Sequence, residues 1–411
     1  MKPVAREVHA VKGTRRKRTR IVLLGWYGSD NVGDEAVLQA VVEALRSRGL
    51  HDLHVLSVNP AKTLTRLNLP ASPRSLLHPR TLRAMWGARA LVLGGGGLIQ
   101  DGTSVYNLPL YALFVAVARL LGLKVVGWGL GVEPVWTLLG KLLTRFICGA
   151  SHHFSVRDHM SLCLLQRAGV PTHRVKVTAD PAFLIAPEPV PDPRRGGKPL
   201  VIFCLRQLSD NHPGLNLHYL LPVSVRTRLG LGWRPPPARR ERFVQALAQA
   251  VGVCVRRLGA DVVLLPLWPG RDDDMLLAVE QAAARLGVPG ERLRRAQVEP
   301  SPGKVAGYIS YADMLVSMRL HSIIFAVSEG VPVLALAYAR KVQGVMRELG
   351  AARWVVEVDL RVPSPEELEH KIRRLWEERE EEGVRLCAAA CPAAARAEAD
   401  ADDIAKLLSY A

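Results

Sequence analysis

The residues best suited to chemistry lie in the sequence SMRLHS, which follows a short apolar strand and contains Arg319, His321 and Ser322. An arginine two residues before a histidine, at the exit of a strand, is typical of an anion-binding cation beside a proton donor. The next apolar strand ends in the sequence YARK, which supplies Arg340 and Lys341. Because adjacent strand exits share one edge of a parallel sheet, Arg319, His321 and Lys341 form a set able to hold a phosphate or carboxylate and to supply a proton.

A second group of charged residues follows strands in the first half of the chain. Arg157 ends the strand HFSVRD beside Asp158, and Asp180 follows in the sequence TADPAF. At the edge of the expected cleft Arg157 is a functional candidate, with a surface ion pair to Asp158 as the structural alternative. For Asp180 the structural interpretation is capping or hinge support.

The turn after the first strand, GWYGSDNVGDEA, combines glycines with polar side chains. Asn31 lies between turn glycines and is a candidate ligand-binding amide, while Asp34 opens the following helix. Backbone N–H groups at such a helix start are suited to an anion. The glycine spacing does not match the dinucleotide-binding fingerprint GxGxxG, and a tight turn capped by Asp34 is the structural alternative.

The turn after a later strand, LGGGGLIQDG, contains four successive glycines. Such a run permits a ligand to approach the backbone and costs chain entropy on folding, so we predict that Gly95 and Gly96 contact a ligand. Gln100 and Asp101 are placed to accept hydrogen bonds from sugar hydroxyls. A third turn, GWGLGVEP, gives weaker evidence for ligand binding and places Glu133 at the rim of the expected site.

The elements that must position these residues alternate along the chain. Apolar strands separated by helices predict two doubly wound, Rossmann-like α/β domains with parallel sheets, at residues 20–185 and 200–385. Residues 186–199 contain five Pro and two Gly in fourteen residues and predict a linker. We expect an Ala-rich helix at residues 386–411 to pack back on the first domain and residues 1–19 to form a flexible basic tail. A cleft between the facing strand ends is the expected binding site.

The composition is that of a folded and strongly basic protein. The 411 residues are 49% hydrophobic and 23% charged, and 55 Lys and Arg against 38 Asp and Glu give a formal charge of +17. This balance excludes a disordered chain and favours anionic partners. Residues 1–20 and 206–242 carry +7 and +5 of that charge. The internal segment indicates an anionic substrate, whereas a solubilising arm is the alternative for the tail.

Neither a signal peptide nor a membrane span is expected. The Arg-rich start is followed by too short an apolar core, and the longest apolar stretch, residues 108–123, is interrupted by Arg119. We interpret that stretch as a buried helix rather than a membrane-surface helix. The expected location is therefore the cytoplasm, with peripheral association at the membrane. Cys387 and Cys391 lie four residues apart without a second pair, so no metal site is expected.

Six sequence pieces, in order over about residues 20–350, resemble the polysaccharide pyruvyl transferase family: GWYGSDNVGDEAVL, LVLGGGGLIQD, SVRD, TADPAF, SMRLHSIIFA and PVLALAY with a following lysine. They look closest to the bacterial branch that adds pyruvate to N-acetylmannosamine of a secondary cell-wall polymer. The resemblance implies a fold similar to GT-B glycosyltransferases. It also implies transfer of the enolpyruvyl group of phosphoenolpyruvate to two sugar hydroxyls as a cyclic ketal, with release of phosphate.

The resemblance also implies roles for individual residues. His321 matches the general acid, and Arg157 and Lys341 match cations that bind phosphoenolpyruvate, which together form the expected catalytic set. We expect an imidazolium with a near-neutral pKa to protonate the donor. No metal and no cofactor other than phosphoenolpyruvate as co-substrate are expected. Further donor-binding residues are expected to be Arg319, Arg340 and Ser322.

The acceptor is expected on the N-terminal side of the cleft, as a sugar of a lipid-diphosphate-linked oligosaccharide. Asp34, Asp101 and Glu133 are alternative bases for its hydroxyl, and the sequence does not choose among them. The residues expected to bind the acceptor are Asn31, Asp34, Gly95, Gly96, Gln100 and Asp101.

Two other functions are compatible with the sequence. A nucleotide-sugar glycosyltransferase of the same architecture would need a carboxylate for the ribose, which Glu329 offers. A non-catalytic polyanion binder would agree with the charge, but no nucleic-acid motif is evident, so no nucleic-acid partner is expected. Two features depart from the family pattern: the basic segment at residues 207–241 and Trp268. They leave the identity of the acceptor less certain than that of the donor.

Overall fold

The protein is described by a computed structural model that covers residues 19–102, 104–208 and 236–409. Nearly all of the basic tail predicted at residues 1–19, and most of the basic segment at 206–242, lie outside the described residues.

The described N-terminal residues form a parallel sheet of seven strands in the order β3-β2-β1-β4-β5-β6-β7. The strands are β1 (Ile21–Leu24), β2 (Leu53–Ser57), β3 (Ala71–Pro73), β4 (Ala90–Gly94), β5 (Lys124–Leu130), β6 (His153–Val156) and β7 (Lys176–Val177). The chain reverses its direction of winding between β1 and β4, where Ile21 pairs with both Leu53 and Ala90. Ligands of open parallel sheets bind beyond the strand ends at such a reversal.

Helices cover both faces of this sheet, which explains why its central strands are apolar throughout. They are α1 (Val32–Ser47), α2 (Pro60–Leu67), α3 (Pro79–Met85), α4 (Asn107–Leu120), α5 (Leu138–Ala150) and α6 (His159–Arg167). Side chains of α4, α5 and α6 pack in one core cluster, together with Met85 of α3. Those of α1 pack in a second cluster on the opposite face.

The described C-terminal residues form a second parallel sheet, of six strands in the order β10-β9-β8-β11-β12-β13. Its strands are β8 (Leu200–Cys204), β9 (Asp261–Leu264), β10 (Leu293–Arg295), β11 (Met314–Ser317), β12 (Val333–Ala337) and β13 (Val355–Glu357). The helices are α7 (Pro237–Arg256), α8 (Asp273–Arg285), α9 (Pro302–Ile309), α10 (Leu320–Ser328), α11 (Arg340–Glu348), α12 (Pro365–Glu377) and α13 (Arg379–Ser409). Here the winding reverses between β8 and β11.

The two sheets are joined by packing as well as by the connecting residues 186–199, which carry neither helix nor strand. Val32 and Ala36 of α1 belong to the core cluster of the C-terminal domain. The backbone N–H of Val32 also donates to the carbonyl of Leu267 at 2.9 Å. The start of α1 therefore bridges the two domains.

Helix α13 crosses from the C-terminal domain to the N-terminal domain and begins at Arg379, before the boundary predicted at residue 386. Leu386 is buried in the C-terminal core, whereas Ile404 and Leu408 are buried in the N-terminal core. Asp400 is fully buried and accepts hydrogen bonds from Ser155 Oγ at 2.6 Å and His153 Nε2 at 3.0 Å. No helix among the described residues is long and apolar enough to cross a membrane.

We expect Asp400→Ala to destabilise the protein by about 1–3 kcal/mol, because it leaves buried polar partners unsatisfied. Urea unfolding followed by circular dichroism measures this change. Asp402→Ala is the matched control on the same helix: its side chain is 53% exposed and pairs with Arg48, so the loss should stay within about 1 kcal/mol. Equal losses in the two variants would contradict the role of Asp400.

Candidate active site

Three neighbouring strands of the C-terminal sheet deliver charged or polar side chains to the cleft. Arg206 follows β8, His321 lies at the start of α10 after β11, and Tyr338 and Lys341 follow β12. These strands lie side by side at the point where the winding of the sheet reverses. The sequence-based prediction that Arg319, His321 and Lys341 lie together agrees with this geometry, because the charges of both cations act on the imidazole.

His321 lies at the boundary between the two domains, with 14% of its side chain exposed. A methyl group placed on Gly33 of α1 would lie 2.0 Å from Nδ1 of His321, so the imidazole touches the α1 backbone. Its Nε2 lies 3.7 Å from Asp180 Oδ2. Burial, reinforced by Arg157 and Lys341 against the opposing effect of Asp180, lowers the pKa of His321 to about 4. The lowering by nearby cations is expected from the sequence, and the near-neutral pKa of a donor-bound imidazolium stays a prediction.

Arg157 is 3% exposed and lies between two carboxylates. Its Nη1 donates to Asp180 Oδ2 at 3.1 Å and its Nε to Asp158 Oδ2 at 3.2 Å. Asp180 also accepts from the backbone N–H of Ala182, at 3.0 Å. Arg157, Asp180 and His321 thus form one buried chain of charges in which Arg157 fixes the carboxylate that faces the imidazole. The buried Nη2 of Arg157 has no hydrogen-bond partner among the described residues.

Lys341 is more accessible to solvent than Arg157 and Arg319. Its side chain is 25% exposed, and its Nζ lies 3.6 Å from Glu133 Oε1 of the N-terminal domain. It also lies 5.4 Å from the centre of the Tyr338 ring, above which the Arg206 guanidinium lies at 4.2 Å. Burial alone would raise the pKa of Tyr338, but Arg206, Lys341 and Arg319 outweigh it and lower the pKa to about 7.

Arg319 is held at the domain boundary by an ion pair with Asp272. Asp272 also accepts from the backbone N–H groups of Leu267 at 3.1 Å and Trp268 at 2.9 Å. The indole Nε1 of Trp268 donates in turn to the carbonyl of Ser29 at 2.9 Å. The tryptophan that departs from the family pattern therefore tethers the first glycine turn to the C-terminal domain.

One of the predicted donor ligands, Ser322, does not face the cleft. Ser322 is fully buried, and its hydroxyl contacts Ser317 Oγ at 2.7 Å and the carbonyl of Arg319 at 2.8 Å. It stabilises the turn between β11 and α10 and does not face the cleft, so the prediction that it binds the donor is wrong. Arg340 opens α11 and is exposed to solvent.

The first glycine turn supplies the opposite wall of the cleft. Asn31 caps α1, and its Nδ2 donates to Asp34 Oδ2 at 2.6 Å. Burial raises the pKa of Asp34 to about 7, although the Asn31 hydrogen bond, Lys341 and Arg319 oppose that shift. The carboxylate lies over Gly96, whose φ of +72° suits glycine. Asn31, Asp34 and Gly96 are therefore brought together, as expected.

The second glycine turn is only partly available to a ligand. A methyl group on Gly95 would lie 2.0 Å from Val37 of α1, so this glycine serves packing. Asp101 is 6% exposed and accepts from the backbone N–H groups of Trp136 and Thr137, both at 2.9 Å. Its carboxylate is committed to the loop before α5, which argues against acceptor binding and removes it as a base. Gln100 is also buried, with 9% exposure.

Sequence analysis did not single out Arg206, Tyr338 or the contact made by Gly33. Arg206 follows β8 at the same edge as His321, and this position was an available signal. Tyr338 precedes the predicted cations in YARK. Among the described residues, no group of three or more His, Cys, Asp or Glu side chains is arranged to hold a metal.

Comparisons with known proteins agree with this architecture. The amylovoran biosynthesis protein AmsJ of Erwinia amylovora is 22% identical over 384 residues, covering 82% of this chain and 88% of that protein. A putative UDP-N-acetylglucosamine 2-epimerase from Listeria monocytogenes superposes with a TM-score of 0.61 at 12% identity, over 94% of this chain and 95% of that one. Anabaena HepE in complex with UDP and glucose gives 0.58 at 14% identity, over 96% and 100%.

These structural likenesses show the fold, two Rossmann-like domains in the GT-B arrangement. The family is shown by the sequence profile described as polysaccharide pyruvyl transferase, which matches residues 31–340. That span begins at Asn31 within the first glycine turn and contains the second glycine turn, the Arg157–Asp180 pair and His321. The chain belongs to the polysaccharide pyruvyl transferase family, and it is a transferase.

Proposed function

We propose that the protein transfers the enolpyruvyl group of phosphoenolpyruvate to a sugar of a lipid-linked polysaccharide precursor, forming a ketal and releasing phosphate. The observation that carries the proposal is the position of His321. It lies between a carboxylate-bearing wall of one domain and a group of cations from the other. An acid and a base on opposite sides of one cleft suit addition across an enol ether.

The donor would bind on the C-terminal side. Arg157 and Arg319 are already paired with carboxylates, so they position neighbouring groups more than they attract a new anion. Lys341 has one long carboxylate contact, at 3.6 Å to Glu133, and both Lys341 and Arg206 lie against the Tyr338 ring. They are the cations best placed for the phosphate and carboxylate, with Arg340, the exposed sequence neighbour of Lys341, as a further candidate.

His321 would protonate the methylene carbon, which makes the methyl group of the ketal and leaves a cationic C2. In the protein alone this histidine is neutral above a pH of about 4. A bound phosphate and carboxylate would raise its pKa again, since an anion nearby favours the imidazolium. Proton uptake is therefore coupled to donor binding, and the acid is charged only when its substrate is present.

The acceptor would be activated from the N-terminal side. One sugar hydroxyl adds to C2 and loses its proton to Asp34. The C2–O bond to phosphate then breaks, and the second hydroxyl adds to C2 to close the ring, its proton passing to the departing phosphate. Asp34 is preferred to Glu133 because the raised pKa suits a base near neutral pH and because Glu133 already contacts Lys341. Asn31 and Gly96 are the neighbours best placed to contact the sugar.

The identity of the acceptor rests on the resemblance and on one relative. AmsJ is a biosynthesis protein for the polysaccharide amylovoran, which supports a polysaccharide precursor as the substrate class. N-acetylmannosamine on a lipid diphosphate is our specific proposal. It places the protein in the cytoplasm at the inner face of the membrane, with no nucleic-acid partner.

A nucleotide-sugar glycosyltransferase is the alternative that the fold neighbours favour, since HepE was solved with UDP and glucose. The position of Glu329, the candidate ribose ligand, argues against a glycosyltransferase. Glu329 caps the carboxyl end of α10, whereas His321 stands at the other end of this nine-residue helix. The two ends lie about 12–14 Å apart, so Glu329 is remote from the cleft. A non-catalytic polyanion binder would not need the acid and base that face each other here.

The first test is donor consumption. Incubation with phosphoenolpyruvate and a sugar acceptor should release inorganic phosphate, and incubation with UDP-sugars should release no UDP. His321→Gln should lower kcat by about 100-fold or more with little change in donor KM. Lys341→Ala should instead raise donor KM, because it removes a cation that binds the ground state. Full activity of His321→Gln, or UDP release by the wild type, would overturn the proposal.

The contact between Gly33 and His321 predicts that Gly33→Ala displaces the imidazole. Because Gly33 is helical, alanine costs no backbone strain, and the added methyl group acts mainly through the contact at 2.0 Å from Nδ1. We expect kcat to fall by about 100-fold, and the overpacked contact to lower stability by about 1–3 kcal/mol. Gly149→Ala is the control, since this helical glycine has open space around it. Normal turnover in Gly33→Ala would contradict the contact.

The raised pKa of Asp34 predicts a pH dependence. The carboxylate, which is the basic form, is lost as the pH falls through about 7. With saturating donor, whose negative charge raises the pKa of Asp34 further, kcat/KM for the acceptor should therefore rise with pH through about 7 or above and then level off. Asp34→Asn should abolish this rise, and Glu133→Gln should retain it. The reverse pattern would make Glu133 the base.

A further inference from the structure

The outer helices of the N-terminal domain expose more large apolar side chains than a solvated surface needs. On and just before α5, Leu138, Leu139, Leu142 and Phe146 are 79%, 59%, 58% and 43% exposed, and Trp136 is 52% exposed. On α4, the neighbouring helix, Leu113 is 54% and Leu120 86% exposed. We call these seven residues the α4–α5 face. They stand outside the core that the same two helices bury against the sheet.

The charge around this face is of one sign. Residues 74–179 contain twelve Lys and Arg and three acidic residues. The three acids do not reach the outer surface: Asp101 and Asp158 are 6% and 1% exposed, and Glu133 faces Lys341 in the cleft. The exposed cations on or next to the apolar helices include Arg80, Arg83, Arg119 and Arg145.

The face begins at the acceptor side of the cleft. Helices α4 and α5 follow β4 and β5, so their first turns lie at the carboxyl edge of the sheet, where the glycine turns are. Asp101, two residues beyond the bridge made by Ile99, holds the backbone of Trp136 and Thr137 at the start of α5. The committed carboxylate of Asp101 therefore ties the exposed apolar residues to the second glycine turn.

We propose that the α4–α5 face binds the interfacial layer of an anionic lipid bilayer and so holds the acceptor side of the cleft at the membrane. Leucine, phenylalanine and tryptophan flanked by arginine and lysine suit the boundary between acyl chains and anionic headgroups. A symmetric contact between two copies would place like charges opposite each other without a counter-charge. The inference rests on the proposed function for the membrane-carried acceptor, whereas the binding itself requires no substrate.

Vesicle sedimentation tests the proposal. The full-length protein should sediment with vesicles of equal parts phosphatidylglycerol and phosphatidylcholine, and much less with phosphatidylcholine alone. Leu138→Glu combined with Leu142→Glu should lower binding to the anionic vesicles by about tenfold or more. The matched control is Leu360→Glu, at a residue of the C-terminal domain that is 72% exposed, and it should bind as the wild type does.

The outcomes that overturn the proposal are specific. The basic tail and the segment at residues 209–235 are intact in every variant, so undiminished binding of the double variant would assign membrane contact to them and not to the α4–α5 face. Sedimentation velocity separates the other case: a wild-type dimer that the double substitution dissociates, with vesicle binding unchanged, would make the face an interface between copies.

Two further measurements separate this inference from the proposed function. The double variant should unfold at the wild-type temperature and should release phosphate from phosphoenolpyruvate at the wild-type rate with a soluble sugar acceptor. If the double variant keeps its unfolding temperature and its phosphate release but no longer binds vesicles, the α4–α5 face is needed for membrane binding and not for the reaction. If the wild type binds anionic vesicles but releases no phosphate, the proposed reaction fails and the docking surface stands.

Discussion

The approach of His321 to the backbone of Gly33 is the contact on which the rest of the site depends. It requires a residue without a side chain in the first turn of α1, and it requires the two domains to be held close together. The two domains are held together by the hydrogen bond from Val32 to Leu267, the hydrogen bond from Trp268 to Ser29 and the long helix α13. The same closeness removes the imidazole from water, which is why its pKa falls.

The charges of the site are arranged so that little reorganisation is needed when an anion enters. Arg157 and Arg319 already have carboxylate partners, which offset part of the free-energy cost of burying these cations. The neutral histidine avoids an unpaired buried charge in the protein alone. Under the proposed function, a bound anion would raise the pKa of His321 and so link the charge of the acid to the presence of the substrate.

The two faces of the N-terminal sheet are used differently. One face is covered by α1 and by the last turns of α13. Acidic residues of α13 pair there with cations such as Arg48 and Lys176. The other is covered by α3 to α6, which bring arginines and exposed leucines without exposed acids. If the protein acts on a membrane-carried sugar as proposed, this difference would favour the one orientation that presents the cleft to the bilayer.

Apolar strands alternating with helices were sufficient to predict two parallel sheets, and the strand exits were sufficient to place His321, Arg319 and Lys341 at one edge. The short edge strands β3, β10 and β13 escaped prediction because three residues carry too little apolar pattern. The position of a residue after a strand does not say whether its side chain already has hydrogen-bond partners. The partners of the Asp101 carboxylate and the Ser322 hydroxyl therefore emerged only from the folded chain. The closeness of the domains was likewise decided by packing between residues distant in sequence, since local periodicity contains no information about how two sheets meet.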